Sequence, residues 1–252
     1  MSLLHLEVLI RKTIEEMVQN AGTETSYRPP LIAFASAANP GFARLREIAT
    51  PEHLLPEQLL SGAQSVVAFF LPFASEVVEA NQRASYVARE WAVAYIETNQ
   101  LIGRLCQRLT DILAERGVRA AAEPATHNFD PISLVSRWSH KSVAAVAGLG
   151  SFGLHHMLIT DAGCAGRFGS LVTDAELEPT PVVEKQRCLY YHDGSCWQCV
   201  DLCPVGALTE EGLDKGRCYQ RCLEVDAHFA DLGLTDVCGK CALGPCALGS
   251  AV

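Results

Sequence analysis

The stretch that decides the reading runs from Cys188 to Cys246. It contains CLYYHDGSCWQCVDLCPVGAL (188–208), GLDKGRCYQRC (212–222) and CGKCALGPC (238–246), and it holds nine of the eleven cysteines in the 252-residue chain. Thiolate is a soft, charged donor that suits soft metals and iron–sulfur clusters. Cys196, Cys199, Cys203 and Pro204 give C-x2-C-x3-C-P, the end of a known run of [4Fe–4S] ligands in which the last cysteine serves a neighbouring cluster. A second set, Cys218 or Cys222 with Cys238, Cys241 and Cys246, is available for that partner. The expectation is two [4Fe–4S] clusters. Zinc accepts the same C-x2-C pairs, but two zinc ribbons would not call for the Cys-Pro step. Disulfides fare worst, because the amphipathic, charge-bearing stretch Met1–Asn20 lacks the character of an export signal.

Nine cysteines exceed eight ligand places. The usual run has a cysteine three positions before Cys196, where this chain has Asp193. Cys188 is the nearest thiol upstream and is expected to replace it, since a carboxylate is a hard donor. The expected ligands are therefore Cys188, Cys196, Cys199, Cys203, Cys218, Cys238, Cys241 and Cys246, with Cys222 spare.

Working outward, the formal net charge is −9 and hydrophobic residues make up 49% of the chain. That content suffices for a packed core. The acidic balance, with no Lys/Arg run, disfavours nucleic acid as a partner, because such binding relies on neutralised phosphates. Apolar runs such as SVVAFFLPF are too short to span a bilayer, so a cytoplasmic protein with no membrane partner is expected.

Upstream, Leu3–Val18 carries apolar residues at helical spacing. Leu31–Ser36 and Ala63–Phe70 read as buried strands, and Asn39-Pro40-Gly41 reads as a turn. Pro51–Leu60 is expected to form a short helix capped by Thr50. Ala84–Arg116 is the longest helical pattern and ends at Gly117, before a strand over Val118–Ala122. Such alternation predicts an α/β or α+β layer around a sheet. The natural boundary lies in Glu178–Gln186, which gives an α/β core over 1–183 and a cluster module over 184–252.

The segment 130–174 is the second informative region. Gly148-Leu149-Gly150-Ser151-Phe152-Gly153 is a G-x-G-x-x-G, but a dinucleotide site needs a strand before it, and here a helix precedes it. Its glycines imply backbone close to something bulky. Asp130 is a candidate general acid, although an Asp before Pro131 also suits a plain turn. Arg167 offers a planar fork for an amide, carboxylate or phosphate. Lone Cys106 and Cys164 read as small buried hydrophobes, and Tyr86, Trp91 and Tyr95 as core packing.

The arrangement resembles the epoxyqueuosine reductase family. The resemblance is carried by Ala147-Gly148-Leu149-Gly150-Ser151-Phe152-Gly153, Leu158-Ile159, Gly169-Ser170, Thr173-Asp174, Leu71-Pro72, the LDKGR-Cys218 leader and the C-terminal cysteine module. It implies a nitroreductase-like core that holds base-off cobalamin, as in reductive dehalogenases, with a ferredoxin-like double-cluster module feeding electrons to cobalt. It further implies that Gly148, Leu149, Gly150, Gly153, Arg167, Gly169 and Ser170 approach the corrinoid. Asp130 would act as acid, and His140 would donate to a corrin side chain or relay a proton. His155 or His156 as a lower axial ligand is the weaker alternative. The expected function is an iron–sulfur oxidoreductase acting on a small-molecule substrate from a low-potential electron donor. Alternatives are an electron carrier or reductive activator docking to a separate corrinoid protein, and a flavin-using version of the same core.

Overall fold

The computed structural model describes residues 3–182 and 184–252; Met1, Ser2 and Val183, which closes the expected first domain, lie outside the described residues. In chain order come α1 (Leu3–Gln19), β1 (Leu31–Ser36), α2 (Pro40–Ile48), α3 (Pro56–Leu59), β2 (Ser65–Pro72), α4 (Ser75–Arg83) and α5 (Arg89–Ala114). Then follow β3 (Ala120–Ala121), β4 (Phe129–Asp130), β5 (Val135–Ser136), α6 (His140–Val146), β6 (Gly150–Phe152), β7 (Leu158–Thr160) and β8 (Gly166–Thr173). The tail adds α7 (Leu189–Asp193), α8 (Gln198–Asp201), α9 (Lys215–His228) and a 3-10 turn at Lys240–Ala242.

The central sheet has the order β1-β2-β8-β3, and every pairing is antiparallel. β2 lies at its heart, with all eight residues buried. Side chains alternate across a strand, so Val67, Phe69 and Leu71 join α1 and α5 in one core, while Val66, Ala68 and Phe70 join α2 and α6 in another. The result is an α+β layered fold of the expected class.

Three local expectations are corrected. Asn39-Pro40 is not a turn but the start of α2: Asn39 accepts from Gly41 N and Pro40 occupies the first helical position, where its missing N–H costs nothing. The helix expected over Pro51–Leu60 shrinks to the single turn α3, because the Thr50 hydroxyl bonds to the Glu52 side chain instead of capping a helix. The long helix starts at Arg89, and Ser75–Arg83 forms a separate helix. Asn81 Oδ1 accepts the Ala88 N–H across the break between them.

The tail is stitched onto the core. Val225, Phe229, Leu243 and Ala247 share one apolar cluster with Phe73, Val77, Val78 and Trp91. Lys240 Nζ donates to Asn81 O and Ala84 O at 2.5 and 2.7 Å. Arg28 donates to Phe73 O, Leu248 O and Ala162 O at 2.7–2.8 Å. The backbone N–H groups of Cys164 and Ala165 donate to Cys246 O and Ala247 O. A Cβ at Gly163 would stand 2.2 Å from Ala247 O, so only glycine permits this approach.

Candidate metal centre

The tail has little apolar packing of its own. α7 buries no side chain and α8 buries only Cys199. None of the eleven cysteines is in a disulfide. Instead the thiols crowd together. Burial pushes Cys199 up to about 11, and the nearby thiolates of Cys246, Cys188 and Cys196 raise it further. Burial likewise pushes Cys241 up to about 12, with Cys218, Cys238 and Cys203 among the thiolates adding to it. Ionising thiols this crowded is costly, and bound iron would offset that cost.

Two residues stand beside the eight expected ligands. Cys222 shares a hydrogen bond with Cys218 on α9; that bond lowers the pKa of Cys218 and raises that of Cys222. Asp193 is exposed, and its carboxylate accepts from Ser195 N at 2.9 Å. Cys188 is partly buried and packs against the apolar clusters that contain Cys199 and Cys164. Cys203 Sγ accepts the Ala207 N–H at 3.2 Å, placing a donor on sulfur inside the Cys-Pro turn.

A hollow of ≈350 Å³ lies between core and tail. Cys203, Cys218, Cys222, Cys238 and Cys241 line one wall; Trp91, Tyr95, Met157, Gly166 and Arg167 line the other. Arg167 stacks on Tyr95, with the guanidinium carbon 4.4 Å from the ring centroid. Burial pushes the Tyr95 hydroxyl up to about 12, and it donates to Asp236 at 2.5 Å. Lys141, whose charge is disfavoured by burial, feels the thiolates of Cys241 and Cys218. Arg221 also lines the hollow and stacks on Tyr86 at 4.1 Å. Sequence reading missed Lys141, Arg221 and Asp236 and took Tyr86 and Tyr95 as plain packing. Its one available signal was Arg221 beside Cys222 on the Cys218 helix.

The expected cofactor-binding residues fare unevenly. Arg167 faces the hollow. Gly148, Leu149, Gly150, Gly153, Gly169 and Ser170 are not among the residues lining it. Gly150 serves the β6–β7 hairpin: a Cβ there would lie 2.2 Å from Ile159 O. Gly169 is opposed by the Phe69 ring. Ser170 is fully buried, accepting from Trp138 Nε1 at 3.0 Å and lying 2.8 Å from His140 Nδ1. His140 Nε2 is 3.0 Å from Pro124 O and must donate to it, so Nδ1 accepts from the Ser170 hydroxyl. Burial pushes this neutral imidazole down to about 4. Asp130 sits exposed on the β4–β5 hairpin, where its carboxylate accepts from Ile132 N and from both the backbone and hydroxyl of Ser133; those bonds lower its pKa. His155 is buried against Cys246 and Cys164 and does not line the hollow.

The donor set fits iron–sulfur clusters. A corrin fits less well: small-molecule sites run to about 1,000 Å³, and a macrocycle with amide side chains needs that scale, about three times the ≈350 Å³ present. Among the described residues no helix is long and apolar enough to cross a membrane.

No family model matches the chain. It is 27% identical to epoxyqueuosine reductase of Bacillus anthracis over 172 residues, covering 65% of this chain and 41% of that protein. The chain thus spans less than half the length of the curated relatives it matches. Among solved structures it is similar to epoxyqueuosine reductase bound to an epoxyqueuosine-modified tRNA-Tyr stem loop, with a TM-score of 0.59 at 19% identity, covering 96% of this chain and 64% of that one. It is also similar to a catabolic reductive dehalogenase, with a TM-score of 0.60 at 13% identity, covering 95% of this chain and 32% of that one. By sequence the chain is similar to epoxyqueuosine reductases, and its fold is similar to theirs and to that of reductive dehalogenases.

Proposed function

We propose that the chain is an iron–sulfur reductase with two [4Fe–4S] clusters that pass single electrons to a corrinoid at the hollow. The observation that carries this is the crowding of thiols around Cys199 and Cys241, which we assign to two quartets, Cys188/Cys196/Cys199/Cys246 and Cys203/Cys218/Cys238/Cys241. The second quartet lines the hollow, so electrons would leave from there. Low-potential cubanes reach the range such chemistry needs, and a bound corrinoid would supply a strongly nucleophilic metal. The chain's own contribution is positional. Tyr95 and Trp91 exclude water from one wall, and Arg167 offers a fork to an amide or carboxylate.

The size of the hollow favours a second reading, in which the corrinoid is carried by a separate protein that this chain reactivates. Anaerobic purification with metal analysis, followed by absorption spectra with added cobalamin, tests both. Roughly eight irons per chain and a shift of cobalamin to its base-off spectrum support the first reading. Iron without the shift favours the second, a bound yellow chromophore points to flavin, and zinc in place of iron ends all of them. An epoxyqueuosine-modified RNA stem loop belongs beside small molecules in the substrate screen. For the ligand assignment, Cys188→Ser is expected to lower iron by about half, while Asp193→Ala and Cys222→Ser leave it unchanged. The opposite pattern would transfer the ligand place to Asp193 or Cys222.

A further inference from the structure

One side-chain cluster beside the first quartet is absorbed by none of this. His155 Nε2 lies 3.3 Å from Cys246 Sγ and 3.5 Å from Cys164 Sγ, and the two sulfurs are 3.9 Å apart. Three ligand atoms so close have the dimensions of a mononuclear metal site. A tetrahedral zinc bound at about 2.3 Å to sulfur and about 2.0 Å to nitrogen separates its ligand atoms by roughly 3.5–3.8 Å.

The other imidazole nitrogen argues against that assignment. Met157 N–H donates to His155 Nδ1 at 3.1 Å. A nitrogen that accepts carries no proton, so the neutral ring is protonated on Nε2. A protonated Nε2 donates and cannot coordinate. Metal-bound histidines show the reverse arrangement, with the remote nitrogen donating to a carbonyl or carboxylate. The ring is fixed in this orientation by the β6–β7 turn: a Cβ at Gly153 would lie 2.8 Å from its Cε1. Cys246 sulfur is the nearest acceptor. The Cys164 thiol, fully enclosed, has Ala242 O at 3.7 Å and Cys246 Sγ at 3.9 Å as acceptors for its own proton.

We propose that His155 is a positioning residue for the first cluster: its Nε2–H donates to the Cys246 thiolate, with the Cys164 S–H as a weaker second donor, and together they raise that cluster's reduction potential. The inference rests on the two-cluster reading above. The physical reason is that reduction puts more negative charge on the sulfurs. A fixed N–H therefore stabilises the reduced state more than the oxidised one, and hydrogen bonds to sulfur are among the determinants of cluster potential. The second quartet has no such imidazole among its described neighbours; Lys141 and Arg221 approach it as charges instead.

The test uses the full chain, loaded with iron and sulfide without oxygen and titrated electrochemically while paramagnetic resonance follows each cluster. For His155→Leu, one midpoint is expected to fall, the other to stay, and iron to remain at the wild-type level. His155→Gln, whose amide N–H can reach the sulfur, should recover part of the fall. Cys164→Ala should lower the same midpoint by less, and it reads the same relation should His155→Leu fold poorly. Nitrogen-15 in histidine should show only the weak coupling of a hydrogen bond. Unmoved midpoints in fully loaded variants would overturn this inference alone. So would the loss of half the iron together with strong nitrogen coupling, which would make His155 a ligand. A wild-type chain that takes up no iron would remove the cluster reading and this one together.

Discussion

The central sheet and the cysteine-rich tail sit side by side but are held by different forces. β2 has every residue buried, and its two faces feed two separate apolar cores. The tail has helices of five and four residues, one of them with no buried side chain at all. Helices that short are not stable on their own. What they share instead is a set of thiols crowded close enough to raise one another's pKa. The sheet folds by excluding water, and so does the seam that α9 makes with the core; the short helices α7 and α8 need something for their sulfurs to bind.

The contrast is sharpest under iron removal, where the largest effect is expected. Chelation under reducing conditions should abolish amide protection over α7 and α8, while β2, β8 and the core-packed α9 stay protected, as read by hydrogen exchange. Full protection of the metal-free tail would erase the distinction drawn here. Next in size is the reverse perturbation. Phe69 is fully buried in the α1/α5 core, so Phe69→Ala should cost about 3–5 kcal/mol of core stability and leave iron content unchanged in the folded fraction.

The third effect concerns pH. His140 is pushed down to about 4 by burial, against an ordinary value of 6.5. A base harder to protonate when folded favours the folded state above pH 6.5, and that contribution is lost as pH falls from 6.5 towards 4. The loss is on the order of 3 kcal/mol. Denaturant unfolding of the core at pH 7 and pH 4 should show it, and His140→Gln should lack that component. An equal pH dependence in the variant would assign the loss to other groups.

The tail's candidate ligands stand out in the sequence because the proposed chemistry depends on local spacing: C-x2-C-x3-C-P keeps three thiols within eight residues. The core strands were readable because LIAFAS and SVVAFFLP are apolar and β-branched over a strand's length. The glycines of 148–153 were read as a close approach, and the approach seen at Gly150 is to the chain itself. Gly150 meets Ile159 O of its own hairpin, and nothing in the local sequence distinguishes a neighbouring strand from a ligand. Asn39-Pro40 suits both a turn and a helix start, and only the apolar residues Phe42 and Leu45 beyond it, buried in the α2/α6 core, separate the two. The hollow was illegible because Tyr95, Arg167, Cys203 and Asp236 come from four distant segments.

Cys246 differs from the other ligand candidates in how it is held. Its carbonyl accepts from the backbone of Cys164, and the next residue pairs with Ala165, so the chain there is clamped by the rigid sheet layer rather than by a short helix. Before any metal arrives, that one sulfur already has an address. The remaining thiols of its group can close around it as iron is delivered, which makes the core a jig for cluster assembly as well as a neighbour to the finished site.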